Sequence, residues 1–147
     1  MPAESTAKGA TPLSSIRVMV IDDQRTMRAI LRDLLRKVGI HDVIEASDGE
    51  DALKHLATSA IQNMKPDVLL CDLHMEKMDG LEFIARIRRG KVDAVDKLIP
   101  ILLITGESET MMLEVVGQVG ASAVLKKPIS ADQLGKAIEK ATGIAAV

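Results

Sequence analysis

Three features of this 147-residue sequence predict a doubly wound α/β fold, a parallel five-stranded sheet between two layers of helices. Five short, mostly apolar runs punctuate the chain, and Val68 to Cys71 among them lacks the polar alternation of a half-exposed strand, the pattern of a strand covered on both faces. Each run is followed by a segment with apolar residues at helical spacing, so strand and helix alternate and right-handed crossovers join them. Polar and charged residues close the runs, which places reactive groups at the carboxyl ends of strands, where open α/β sheets bind ligands.

Taken in order, residues 1–14 are small, polar and broken by Pro and Gly; they are expected to form a disordered arm ahead of one domain over 15–147. Residues 17–21 (Arg-Val-Met-Val-Ile) are the first strand, closed by Asp22 and Asp23. Met27, Ile30, Leu31, Leu34, Leu35 and Val38 recur at helical spacing over 26–38, and Gly39 stops that helix. The methionine belongs to a core stripe rather than to a ligand box.

Residues 43–46 are a second strand, and Ser47 to Glu50 has capping-box spacing for a helix through Ala52, Leu53, Leu56 and Ala60. Val68-Leu-Leu-Cys71 is the third strand and ends in Asp72. Asp79-Gly80 supplies turn chemistry before a helix carrying Leu81, Phe83, Ile84 and Ile87. That helix runs into Arg86-Ile-Arg-Arg-Gly-Lys91, expected to be a solvated, dipole-complementing helix end rather than a phosphate site. The tail over 90–98 has no clear pattern.

Residues 99–104 form the fourth strand, ending in Thr105-Gly106. A fourth helix over 107–118 is weak, because Val115, Val116 and Gly117 lower its propensity, and it is a segment that can shift. Residues 121–125 are the fifth strand, followed by Lys126-Lys127-Pro128. Ser130 to Gln133 is a second capping box, opening a fifth helix that runs to about 141.

Composition limits what such a domain does. Aromatic residues make up 1% of the chain, Phe83 alone, so the core is aliphatic and methionine-rich and base-stacking surfaces are nearly absent. Net charge is −2, which gives no general basic footprint for nucleic acid. A single cysteine, Cys71, forms no internal disulfide and fits a reducing compartment. No apolar run reaches the length of a membrane span and no signal-peptide core is visible, so a cytoplasmic protein is expected.

In a parallel sheet the ends of strands one, three, four and five share an edge, which collects Asp22, Asp23, Asp72, Thr105 and Lys127. Three converging carboxylates repel one another, and a divalent cation relieves that repulsion. A partial set of hard oxygen ligands with room for water and substrate oxygens suits Mg²⁺. A lysine and a hydroxyl opposite the metal can hold the remaining oxygens of a phosphoryl group. Each residue alone has a plainer reading: an Asp at a strand end is most often a cap, as Asp79 is read, and a lone lysine a solvated charge. Their joint occurrence at consecutive strand ends favours the site.

The residues that carry this chemistry also carry a resemblance. Val-Ile-Asp-Asp at 20–23, Asp72 followed by Met78-Asp-Gly80, Thr105-Gly106 and Lys127-Pro128 resemble the motifs of bacterial response-regulator receiver domains, most closely the single-domain, CheY-like chemotaxis type. The likeness spans about 15–141 and includes Thr26 to Leu35 and Glu45 to Leu53. It implies a flavodoxin-like strand order of 2-1-3-4-5 with the site at the switch between strands one and three. It implies that Asp72 accepts a phosphoryl group from a histidine kinase or phosphotransfer protein. Asp22 and Asp23 would hold Mg²⁺ with the backbone carbonyl of His74, Lys127 would pair with the acyl phosphate, and Thr105 would move toward it. The output implied is a protein target bound through the fourth helix, fifth strand and fifth helix, without nucleic acid or membrane.

Three departures from the family pattern stand out. Glu76 replaces the usual proline after Asp72, the third helix has the longer tail 90–98, and Val124 stands where the chemotaxis type has a switching tyrosine. Two other functions fit less well. A haloacid-dehalogenase-like phosphohydrolase needs a second acid two residues after its nucleophile, where this chain has His74. An interaction module reading a nucleotide through Arg86, Arg88 and Arg89 leaves the intact acids, Thr105 and Lys127 unexplained. The chain is therefore expected to be no enzyme beyond gaining and losing its own phosphoryl group.

Overall fold

The computed structural model describes residues 13–106, 114 and 119–144. Strands β1 (Arg17–Ile21), β2 (Asp42–Ala46), β3 (Val68–Asp72), β4 (Ile101–Thr105) and β5 (Ala123–Lys126) form one sheet in the order β2-β1-β3-β4-β5. All four pairings are parallel. Helices α1 (Arg25–Lys37), α2 (Gly49–Ile61), α3 (Gly80–Arg88) and a C-terminal helix (Ala131–Thr142) connect or flank the strands. The fourth helix expected over 107–118 lies outside the described residues, apart from Glu114.

The sheet separates two cores, and the side-chain alternation of each strand feeds both. Met19, Ile21, Leu69, Cys71, Ile101 and Leu103 pack toward α2 and α3, where Phe83 is fully buried. Val18, Val20, Val68, Leu70, Leu102 and Ile104 pack on the other face against Leu31 and Leu35 of α1 and Leu134 and Ile138 of the C-terminal helix. Every residue of β3 and β4 is buried, as unalternated apolar strands require. At β2, an edge strand, only Ala46 is buried.

Helix starts follow local chemistry. Ser130 and Gln133 form the expected reciprocal capping box. At α2 the N-cap is Asp48, one residue later than the spacing predicts, and the reciprocal bond of a capping box is replaced by one to the residue before the cap. Asp48 caps the Asp51 amide, and the Asp51 carboxylate accepts from the Ser47 amide at 2.9 Å. That bond to Ser47 holds the Asp51 carboxyl below its ordinary range. Two acids outcompete the Ser–Glu pair because each accepts from a backbone amide at the positive end of the helix.

Two expectations are corrected. Leu13 and Ser14, assigned to the arm by composition, belong to a 3-10 turn over Leu13–Ser15 that buries Leu13 against the α1 side of the sheet. Residues 1–12 of the arm lie outside the described residues. The basic stretch after α3 is not uniformly solvated either. Arg88 donates to the carbonyls of Lys97 and Ile99 at 2.7 Å, to that of Gly120 at 2.8 Å, and to Ser122 Oγ at 3.4 Å. Its guanidinium gathers the 90–98 tail and the approaches to β4 and β5 around the end of α3, and burial lowers its pKa. Arg88→Ala strands these carbonyls and is expected to cost about 2–4 kcal/mol in urea unfolding. Arg89→Ala, one residue on and exposed, should stay within about 0.5 kcal/mol.

Candidate phosphoryl-acceptor site

The carboxyl edge of the sheet assembles the acids. Asp22 follows β1, its amide held by the Ala46 carbonyl of β2 at 3.1 Å. Asp72 is the last residue of β3 and pairs in register with Ile104 of β4. One carboxylate oxygen from each of Asp22, Asp23 and Asp72 lies within 4.8 Å of the others. Asp22 and Asp72 are buried, whereas Asp23 is exposed. The convergence predicted from strand ends is thus present for all three acids.

Lys127 closes the group from β5. Its amide donates to the Thr105 carbonyl at 2.8 Å, which ties the end of β5 to the end of β4. The peptide bond between Lys127 and Pro128 is cis. Lys127 Nζ lies 3.0 Å from Asp72 and 3.9 Å from Asp22, so one ammonium faces two buried acids. Thr105 is buried at the end of β4, one residue beyond the register partner of Asp72. His74 is exposed in the loop after β3, and its ring is not among the converging ligand groups.

The donor set fits a hard divalent cation. Asp22 Oδ1 accepts from the Gln24 amide at 2.8 Å, but Asp22 Oδ2 is buried without a hydrogen-bond partner. A buried carboxylate oxygen left unpaired is costly, and its neighbours are two further carboxylates and a lysine. Burial pushes the Asp22 carboxyl above its ordinary range, and the charge of Asp72 adds to the rise. An oxygen-preferring cation satisfies the orphaned atom and removes the repulsion together.

Several supporting residues were not legible in the sequence. Arg28 Nη1 donates to the Asp22 carbonyl at 2.7 Å while its Nε pairs with Glu45 at 3.1 Å, so α1 and β2 jointly fix the backbone of the first acid. The available signal was a basic residue one turn into α1 opposite an acid on the edge strand. Met78 is buried beneath the start of α2, and a Cβ at Gly49 would lie 2.8 Å from its side chain. A Cβ at Gly80 would lie 2.3 Å from the Asp72 carbonyl oxygen, so only glycine lets α3 begin against Asp72. Asp79 caps α3 through the Glu82 amide, the plain role expected of it. Cys71 is fully buried, which raises its thiol pKa well above the ordinary value and leaves it apolar and inert.

Known proteins resemble this chain in sequence and fold. Residues 18–139 match the response regulator receiver domain family. The chain is 30% identical over 129 residues to a probable chemotaxis protein CheY of Rhizobium etli, covering 87% of this chain and 93% of that one. It is 33% identical to the alkaline phosphatase synthesis transcriptional regulatory protein PhoP of Bacillus subtilis, where the match covers 88% of this chain and 51% of the relative. The solved structure of Vibrio cholerae chemotaxis protein CheY4 superposes with a TM-score of 0.70 at 29% identity, over 86% of this chain and 98% of that chain. Strand order, acid cluster and relatives agree, and the chain belongs to the family of response regulator receiver domains.

Proposed function

We propose that this receiver accepts a phosphoryl group on Asp72 from the phosphohistidine of a kinase or phosphotransfer protein. The observation that carries the reading is Asp72 itself, buried at the sheet edge, 3.0 Å from Lys127 and within 4.8 Å of two further acids. An Asp72 carboxylate oxygen attacks the phosphorus in line, the phosphorus–nitrogen bond breaks, and the histidine nitrogen leaves with its electron pair. Lys127 offsets charge on the transferring oxygens. Asp22, Asp23 and Asp72, with the His74 carbonyl, would hold Mg²⁺, which would supply the positive charge that a phosphoryl group entering beside three carboxylates requires.

The phosphoryl group adds about −1.5 to −2 charge beside Lys127 and Thr105. In this reading those two residues draw toward it, and the surface of β5 and the C-terminal helix changes its affinity for a protein target. Relatives named as chemotaxis proteins in Rhizobium etli and Pseudomonas aeruginosa favour a chemotactic output. Val124 favours a second reading, a relay or adaptor receiver outside chemotaxis. It is a half-buried aliphatic residue packed against the α2/α3-side core, so an aromatic rotamer exchange is excluded at that position.

The test is transfer from a phosphorylated histidine kinase in the presence of Mg²⁺. A base-labile label that moves to the chain and vanishes with EDTA supports the proposal. Sustained hydrolysis of phosphate esters without a lasting adduct supports a phosphohydrolase instead.

A further inference from the structure

Two adjoining grooves on the α2/α3 layer carry a pattern that phosphoryl transfer does not use. The larger, of about 780 Å³, is floored by Leu53 of α2, Leu81 and Ala85 of α3 and Val92 of the following loop. The smaller, of about 520 Å³, continues from Leu53 and Val92 along α2 past Ala57 to Ile61. Leu53, Ala57 and Ile61 stand at i, i+4 and i+8 and therefore form one stripe on the helix surface. Ile61 is 87% exposed at its end. An apolar stripe bordered by two grooves is the shape an amphipathic helix fills with anchors at i, i+3 or i+4, and i+7.

Charge narrows the class of occupant. On the rim of the larger groove Arg86 is neutralised by Glu82 at 2.8 Å. Arg89 and Lys91 share that rim, and among the described residues neither side chain has an ion pair or hydrogen bond. Among the described residues the one acid lining the smaller groove is Asp93. Two cations without an ion pair among the described residues, beside an apolar floor, call for acids along one flank of the ligand. A nucleotide fits poorly, because the sole aromatic residue, Phe83, is fully buried and offers no stacking face.

We propose that the α2/α3 groove docks an acidic amphipathic helix of a partner protein, its apolar face on the Leu53–Ala57–Ile61 stripe and its acids against Arg89 and Lys91. No residue of β5 or the C-terminal helix lines these grooves, and the proposal does not depend on phosphoryl transfer.

The experiment titrates the full chain against a fluorescein-labelled synthetic helix with leucines at i, i+3, i+4 and i+7 and glutamates on one flank. A second peptide carries lysines in place of the glutamates, and anisotropy is the readout. The glutamate peptide is expected to bind saturably with a Kd of about 10–100 μM. The double variant Arg89→Glu/Lys91→Glu should lose at least about tenfold and reverse its preference to the lysine peptide. Ile61→Ser, at a position too exposed to disturb folding, should weaken the glutamate peptide at least about threefold. Circular dichroism of each variant confirms the fold. Absence of saturable binding up to about 1 mM overturns the proposal. So does equal binding of the two peptides, an affinity unchanged by the double variant, or a self-association that Ile61→Ser abolishes, which would assign the groove to a second copy of this chain.

Discussion

In the absence of metal, Asp22→Asn is expected to raise the stability of the chain by about 1–2 kcal/mol at neutral pH, while abolishing its stabilisation by Mg²⁺. Asp22 is buried, its Oδ2 has no hydrogen-bond partner, and Asp72 stands beside it. Asparagine keeps an oxygen for the Gln24 amide, now at 2.8 Å from Asp22 Oδ1, and removes the charge. The sign with pH follows from the raised carboxyl. Between the unfolded and the folded pKa the native state binds more protons than the unfolded state, so stability falls as pH rises through that window. Above the window the full penalty remains. The advantage of Asp22→Asn is therefore constant above that window and shrinks as pH falls through the raised pKa. Mg²⁺ is expected to reverse the order of the two proteins. At a hundredfold excess over its Kd it adds about 2.7 kcal/mol to the unmutated chain and nothing comparable to the variant. Thermal melts with Mg²⁺ or EDTA, at neutral pH and near pH 4, check both parts.

Gly80→Ala is expected to damage the site more than any other single-methyl change. The added carbon would stand 2.3 Å from the Asp72 carbonyl oxygen and 3.1 Å from the Leu73 Cα, both backbone atoms with no rotamer to yield. The Gly80 amide also donates to the Leu73 carbonyl at 3.0 Å, so the start of α3 cannot retreat without losing that bond. Relief must come from movement of Asp72 itself. Overpacking of this kind costs about 1–3 kcal/mol in stability. A shift of about 1 Å at the acceptor oxygen lowers the rate of phosphoryl transfer roughly a hundredfold. Gly106→Ala is the matched control, since a Cβ there meets nothing within 4 Å. Urea unfolding and a phosphorylation time course separate the two effects.

What the sequence made legible was set by topology. Once five apolar runs alternate with helical segments, the parallel sheet places every strand's carboxyl end on one edge. Asp22, Asp23, Asp72, Thr105 and Lys127 then follow without any knowledge of side-chain direction. Arg88 was illegible for the complementary reason. A basic residue at a helix end has the same local pattern whether it is solvated or donates to Lys97, Ile99 and Gly120, and only the folded chain brings those carbonyls within reach. Arg28 escaped notice likewise, because its partner is a backbone carbonyl of Asp22. Leu13 looked like arm because its neighbours are small and polar, yet one buried leucine suffices to fasten a 3-10 turn to the core. Among the described residues no helix is long and apolar enough to cross a membrane.

The most direct test of the central claim is to locate the phosphoryl group chemically. The chain is incubated with Mg²⁺ and a small phosphodonor, treated with borohydride, digested and sequenced by tandem mass spectrometry. An aspartyl phosphate is reduced to homoserine, so the predicted result is homoserine in place of Asp72, absent from samples prepared with EDTA and from the Asp72→Asn variant. Modification at Asp22, Asp23 or His74, or undiminished labelling of Asp72→Asn, would contradict the assignment of Asp72 as acceptor.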